Sequence, residues 1–307
     1  MTDPLWPSNP IRPRTSPRPR RLAGPAALAL LLAAACAPPA EDGGAGAQAS
    51  AEPADRAEAQ AAIPPFAAAV EAAHGADAWR SHDAFAADAA LFYGGQRVFE
   101  GTITLTPDAA RTRTERAADG AVLVFDGDTA WVSPADAEWP MARFHALTWP
   151  YFAAAPFKLA DPGSHLGPLG ERDLLGTPHE AARLTFDPGI GDSPDDWYVL
   201  YRDPATGRLA AMAYVVTYGR TAEEAEQEPH AIVYGEFVDV EGVQVPTVWQ
   251  LYNWSEEEGV HGDPLGRLEL SNPRFVEPGP ETFTAPEGAR EEGLPPAPRA
   301  AEEVGVE

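Results

Sequence analysis

"WYVLYRDPATGRLAAMAYVVTYG" (residues 197–219) is the stretch on which the fold turns. Aromatic and branched residues flank "DPATG" (203–207), whose Pro and Gly read as the turn of a hairpin. In the second arm, Leu209, Ala211, Ala213 and Val215 fall on one face and Met212, Tyr214, Val216 and Tyr218 on the other. A sheet with one wet side alternates apolar and polar residues, so an arm that is apolar on both faces is covered on both. One face is expected to meet helices. The other lines a cavity or packs beneath a second layer.

The period of two continues on either side. "GTITLTPDAARTRTER" (101–116) turns at Pro107-Asp108, and "AVLVFDGDTAWV" (121–132) turns at Asp126-Gly127. "HAIVYGEFVDVEGVQVPTVWQLYNW" (230–254) turns near Glu241-Gly242, and "GRLELSNPRFV" (266–276) gives a last strand. Short turns between about eleven strands predict an antiparallel meander. Helical spacing appears in two places. "IPPFAAAVEAAHGADAWRSH" (63–82) opens with prolines and stops at Gly75. "MARFHALTWPYFAAAPFKLADPG" (141–163) predicts one helix, or two broken at Pro150. Its Trp149, Tyr151, Phe152 and Phe157 read as a lid over a cavity, a membrane-facing patch or plain core.

The N-terminal region is of another kind. Arg12, Arg14, Arg18, Arg20 and Arg21 precede an apolar run, Leu22 to Ala35, of roughly 14 residues, shorter than the about 20 that span a bilayer. This is the pattern of a secretory signal. Ala33-Ala34-Ala35-Cys36 resembles the lipobox of bacterial lipoproteins, which implies cleavage before Cys36 and lipid on its sulfur. An ordinary signal cut nearby, leaving a free thiol, is the other reading. Ala37 after the cysteine resembles lipoproteins sorted to the outer membrane. Cys36 is the chain's only cysteine, so no internal disulfide forms.

Composition excludes some partners. The chain holds 47 acids and 22 Lys and Arg, a net charge of −25. Without residues 1–35, which carry Asp3 and five arginines, 46 acids face 17 bases, a net of −29. Nucleic-acid binding requires clustered base, so it is not expected. High acidity with Lys158 as the only lysine fits either a saline medium or biased codon usage. Residues 36–62 and 290–307 lack any apolar period and read as a disordered tether and a disordered acidic tail.

No catalytic or metal signature stands out. The seven histidines (74, 82, 145, 165, 179, 230, 261) lack zinc spacing, and Gly-x-Ser-x-Gly is absent. "FDPGIGDSPDDW" (186–197) offers Asp187, Asp192, Asp195 and Asp196 without a calcium-loop pattern, and reads as a bent surface loop. No enzyme activity, cofactor or metal is expected.

Five pieces, "AHGADAW" (73–79), "FDGDTAWV" (125–132), "PFKLADPG" (156–163), "TFDPGIGDSPDDWYVLYRDPATGRLAAMAY" (185–214) and "NWSEEEGVHG" (253–262), resemble a family of uncharacterised bacterial lipoproteins of the Lol lipoprotein-carrier (LolA/LolB-like) class. The likeness covers roughly residues 63–285. It implies an α+β fold: a curved antiparallel sheet forming a half-open barrel, with an N-terminal helix and the inserted apolar segment covering one face. The organisation expected is a signal peptide (1–35), a lipidated Cys36 and tether (36–62), a half-barrel domain (63–289) and the tail (290–307). The function expected is a non-catalytic carrier or sensor in the cell envelope, lipid-anchored at the outer membrane. Its cavity would take a lipid, acyl chain or lipopeptide, with Trp149, Tyr151, Phe152, Phe157, Met212, Tyr214 and Val216 touching the ligand. The alternative is a structural or interaction lipoprotein without a cavity, whose protein partner the sequence does not name.

Overall fold

The computed structural model describes residues 63–295. The signal peptide, Cys36, the tether and residues 296–307 of the tail lie outside the described residues.

Two helices open the fold, α1 (Pro65–His74) and α2 (Ala76–Arg80). Pro65 sits in the first turn of α1, where its missing N–H costs nothing. Gly75 ends that helix at φ 80° and starts the next. A Cβ at Gly75 would lie 2.1 Å from the Gly242 carbonyl oxygen, so glycine here is demanded by conformation and by close approach alike.

A first meander follows: β1 (Ala84–Tyr93), β2 (Gln96–Leu105), β3 (Thr112–Arg116), β4 (Val122–Phe125) and β5 (Ala130–Ser133). Helix α3 (Ala142–Ala154) and a 3₁₀ turn (Ala155–Phe157) then carry the chain to the far end of the sheet. A second meander returns through β6 (Ser164–Leu174), β7 (Thr177–Phe186), β8 (Tyr198–Arg202), β9 (Leu209–Tyr214), the one-turn helix α4 (Ala222–Ala225), β10 (His230–Val240), β11 (Val243–Ser255) and β12 (Gly259–Val276). Strand β13 (Arg290–Glu292) closes the order. All thirteen strands form one open antiparallel sheet, β13-β5-β4-β3-β2-β1-β12-β11-β10-β9-β8-β7-β6. The seam between the meanders is the β1–β12 pairing. The protein is α+β, with a large curved sheet that does not close.

Two expectations are corrected. The strand number exceeds about eleven. Arg290–Glu292, assigned by sequence to the tail, pairs with Val132, Trp131 and Ala130 of β5, because ladder bonds need no apolar side chain. Of the two forms left open for the apolar segment, the single helix stands, since α3 continues through Pro150. Proline lacks the N–H that would bond the Ala146 carbonyl four residues back. That oxygen instead accepts a buried bond from Thr112 Oγ1 on β3 at 2.7 Å, so no acceptor is stranded.

Helices α1 to α3 cover one face of the sheet. Trp79 anchors that core: its ring stacks on Phe157 at 4.5 Å, lies 5.4 Å from Phe85, and its Nε1 donates to the Pro107 carbonyl at 2.8 Å. Toward β4 and β5, Leu123, Phe125, Val132 and Trp139 pack against Ala142 and Ala146 of α3. On the opposite face, Ala211, Ala213 and Val215 join Tyr201, Trp197 and Trp254 in a second core, capped by Ala225 of α4. Trp254 Nε1 donates to the Tyr201 hydroxyl at 2.8 Å inside it.

Candidate functional site

A cavity of about 350 Å³ lies between α3 and the sheet, toward β8 and β9. Phe144, Leu147, Tyr151 and Phe152 line it from α3. Their spacing of three, four and one puts them on one stripe of the helix. Tyr198 of β8, Tyr214 of β9 and Phe186 at the end of β7 supply the facing wall, with Val216 and Tyr218 beyond β9. The rings meet in stacked and tilted contacts: Tyr151 with Tyr198 at 5.5 Å, Phe152 with Tyr214 at 5.0 Å, Phe144 with Tyr218 at 5.3 Å.

Two ion pairs stand among the lining and at its border. Arg143 grips Asp192 with two bonds, Nε to Oδ2 at 2.6 Å and a guanidinium nitrogen to Oδ1 at 2.9 Å, and donates to the Asp128 carbonyl. Lys158 lies 2.5 Å from Asp161 and donates to the Asp108 carbonyl at 2.7 Å. Both cations are thereby matched by an acid.

Asp196 is not matched in this way. Its Oδ1 accepts from the Thr217 backbone N–H and from Thr217 Oγ1, both at 2.7 Å. It keeps some accessible surface through the cavity it lines, yet enough protein surrounds it that desolvation pushes its pKa up to about 7, against the pull of the Thr217 bonds. The Tyr151 side chain also lines the cavity, its hydroxyl buried and without a hydrogen-bond partner. Burial raises its pKa, and the charges of Asp161 and Asp196 add to the rise.

The expected site residues divide. Tyr151, Phe152, Tyr214 and Val216 line the cavity. Trp149, Phe157 and Met212 do not. Trp149 lies two residues from Tyr151, about 200° around the helix, and donates to His145 Nδ1 at 3.0 Å. Phe157 lies past the helix end, stacked on Trp79. Met212 is fully buried with its cross-strand partners Leu200 and Ile232. The face expected to meet helices and the face open to a cavity prove to be one face, that of Tyr214 and Val216, because α3 covers only part of it.

Sequence reading missed Asp196. Strand alternation places residues 196 and 198 on one side, and that was the available signal. Two other acids of its loop point to separate partners, Asp187 to His165 at 2.7 Å and Asp192 to Arg143. Among the described residues no three His, Cys, Asp or Glu side chains converge as a metal site, and no helix is long and apolar enough to cross a membrane.

No family model and no curated protein matches the chain. Solved structures resemble it at low identity. A LolA superfamily protein from Nitrosomonas europaea is 14% identical, with TM-score 0.45 over 70% of this chain and 97% of that one. A DUF1329 family protein from Desulfovibrio piger is 16% identical, with TM-score 0.46 over 71% and 97%. A putative outer membrane lipoprotein-sorting protein domain from Vibrio parahaemolyticus is 11% identical, with TM-score 0.45 over 71% and 94%.

Proposed function

We propose that the protein is a non-enzymatic lipoprotein of the cell envelope that takes an apolar chain into the cavity between α3 and β8–β9. Lipid on Cys36 holds it at the membrane, and Cys36→Ser is expected to release it to the soluble fraction. One observation carries the reading: a cavity of about 350 Å³ walled by an apolar helix stripe and an aromatic strand face. Ligand pockets run from about 300 to 1,000 Å³, so this one fits a single chain segment and not a whole multi-acylated lipoprotein. Each methylene buried there contributes about 0.8 kcal/mol. The competing reading, a partner added at a sheet edge, draws little support from edge strand β6, where Pro168 and the shift in pairing at Pro168/Gly170 interrupt the ladder.

The test uses an uncharged fluorescent acyl probe and two alanine variants. Phe152→Ala, at the cavity wall, is expected to weaken uptake by roughly 1–3 kcal/mol. Phe157→Ala, in the Trp79 core, is expected to cost about 3–5 kcal/mol of stability and to leave uptake per folded molecule unchanged. Wild-type protein that takes up no probe at micromolar concentration overturns the reading.

A further inference from the structure

Resting on that reading, the polar side of the cavity identifies the ligand's head group. We propose that the cavity selects an apolar chain ending in a primary ammonium group, held by the Asp196 carboxylate and the Tyr151 hydroxyl among the rings of Tyr198 and Tyr214.

Three features of the cavity converge on this chemistry. The first is charge. Arg143 and Lys158 are already matched by Asp192 and Asp161, which leaves Asp196 as the lining acid without a basic partner. A carboxylate head would set two acids in one low-dielectric space, which disfavours ionisation of both. An ammonium supplies the missing opposite charge. The second is hydrogen bonding. The buried Tyr151 oxygen has no partner, and a buried polar atom left unpaired carries a desolvation penalty. An ammonium with three donors serves Asp196 and Tyr151 together. Asp196, Tyr151 and Tyr198 all line this one cavity. The third is the wall. Phe144, Phe152, Phe186, Tyr198, Tyr214 and Tyr218 present rings to the cavity, and aromatic faces attract desolvated cations. The raised pKa of Asp196 fits these features: its charge is costly alone, and a bound cation relieves the cost.

The experiment is displacement of the uncharged probe from full-length protein at pH 7.5 in 1 M NaCl. At that salt the Debye length is about 3 Å, so the acidic surface does not itself concentrate cations. Dodecylamine is expected to compete roughly tenfold better than laurate, the size of a charge-assisted bond, with dodecanol between them. Asp196→Asn, which keeps an oxygen for Thr217, is expected to erase the difference and leave dodecanol unchanged. Tyr151→Phe is expected to weaken dodecylamine and not dodecyltrimethylammonium, which has no N–H to donate. Lyso-phosphatidylethanolamine separates sources: competition sensitive to Asp196→Asn identifies a phospholipid head group, and competition by dodecylamine alone identifies a free alkylamine. Laurate competing as well as dodecylamine, or a preference that survives Asp196→Asn, overturns the inference and leaves the carrier reading standing. Wild-type protein that binds no probe overturns both.

Discussion

His74 and Asp196 pull the stability of the fold in opposite directions as pH changes. His74 Nδ1 contacts the Gln244 carbonyl at 2.9 Å and Nε2 accepts from the Leu209 N–H at 3.0 Å, so the neutral ring ties α1 to β9 and β11. Burial lowers its pKa to about 4, and burial lowers that of His145 to about 4 as well. The unfolded chain protonates these rings first, so their contribution is complete above about 6.5 and is lost as pH falls toward 4. Asp196 is the reverse case. Its pKa is raised from 3.8 to about 7, so the folded state holds a proton that the unfolded state has released. Its contribution is complete below 3.8 and is lost as pH rises through about 7. Two histidines outweigh one aspartate between pH 4 and 6.5, and above 6.5 the aspartate acts alone. Melting temperatures of the wild type are therefore expected to peak near pH 6.5. In Asp196→Asn they are expected to rise more steeply to that point and then stay level to pH 8. A wild-type curve still climbing at pH 8 contradicts this account. Neither residue was legible in this role. His74 reads in sequence as a helix-end histidine, because its partners lie 135 and 170 residues away.

Elements were legible where their determinants are local. Asp126-Gly127, "DPATG" and Glu241-Gly242 carry their turn conformation in neighbouring residues, and the strands beside them stand as expected. Strand β6 was harder to read, since Gly167, Pro168 and Gly170 break its alternation. The sequence leaves α3 as one helix or two because Pro150 is local, while its compensation is not. Thr112 lies 34 residues before the carbonyl it serves. Thr112→Val is expected to cost about 1–3 kcal/mol by leaving that buried oxygen unpaired. Adding Pro150→Ala returns an N–H to the helix, and the double variant is expected to recover most of the loss in urea unfolding. If the two changes are simply additive, the oxygen is satisfied by another route.

At the scale of the whole molecule, the sequence showed that strands meander but not which strand becomes whose neighbour. The sheet is two meanders sewn together by β1 and β12, residues that pair from Ala84↔Val276 to Tyr93↔Gly266. Helix α3 joins the outer end of the first meander to the outer end of the second. The cavity therefore exists only when both meanders are in place, since its helix wall packs on β4 and β5 while its strand wall is β8 and β9. A chain ending at Ser255 keeps eleven strands' worth of sequence but lacks the seam. It is expected to show no fixed near-ultraviolet signal, whereas the full chain does; a folded truncation contradicts the assigned role of the seam. The seam also sets a clock. Strand β1 emerges early in synthesis and waits more than 150 residues for β12, and closing so long a loop is slow. A newly made chain thus stays pliable until β12 has left the ribosome, and until then its two meanders are held together by no more than the growing chain between them.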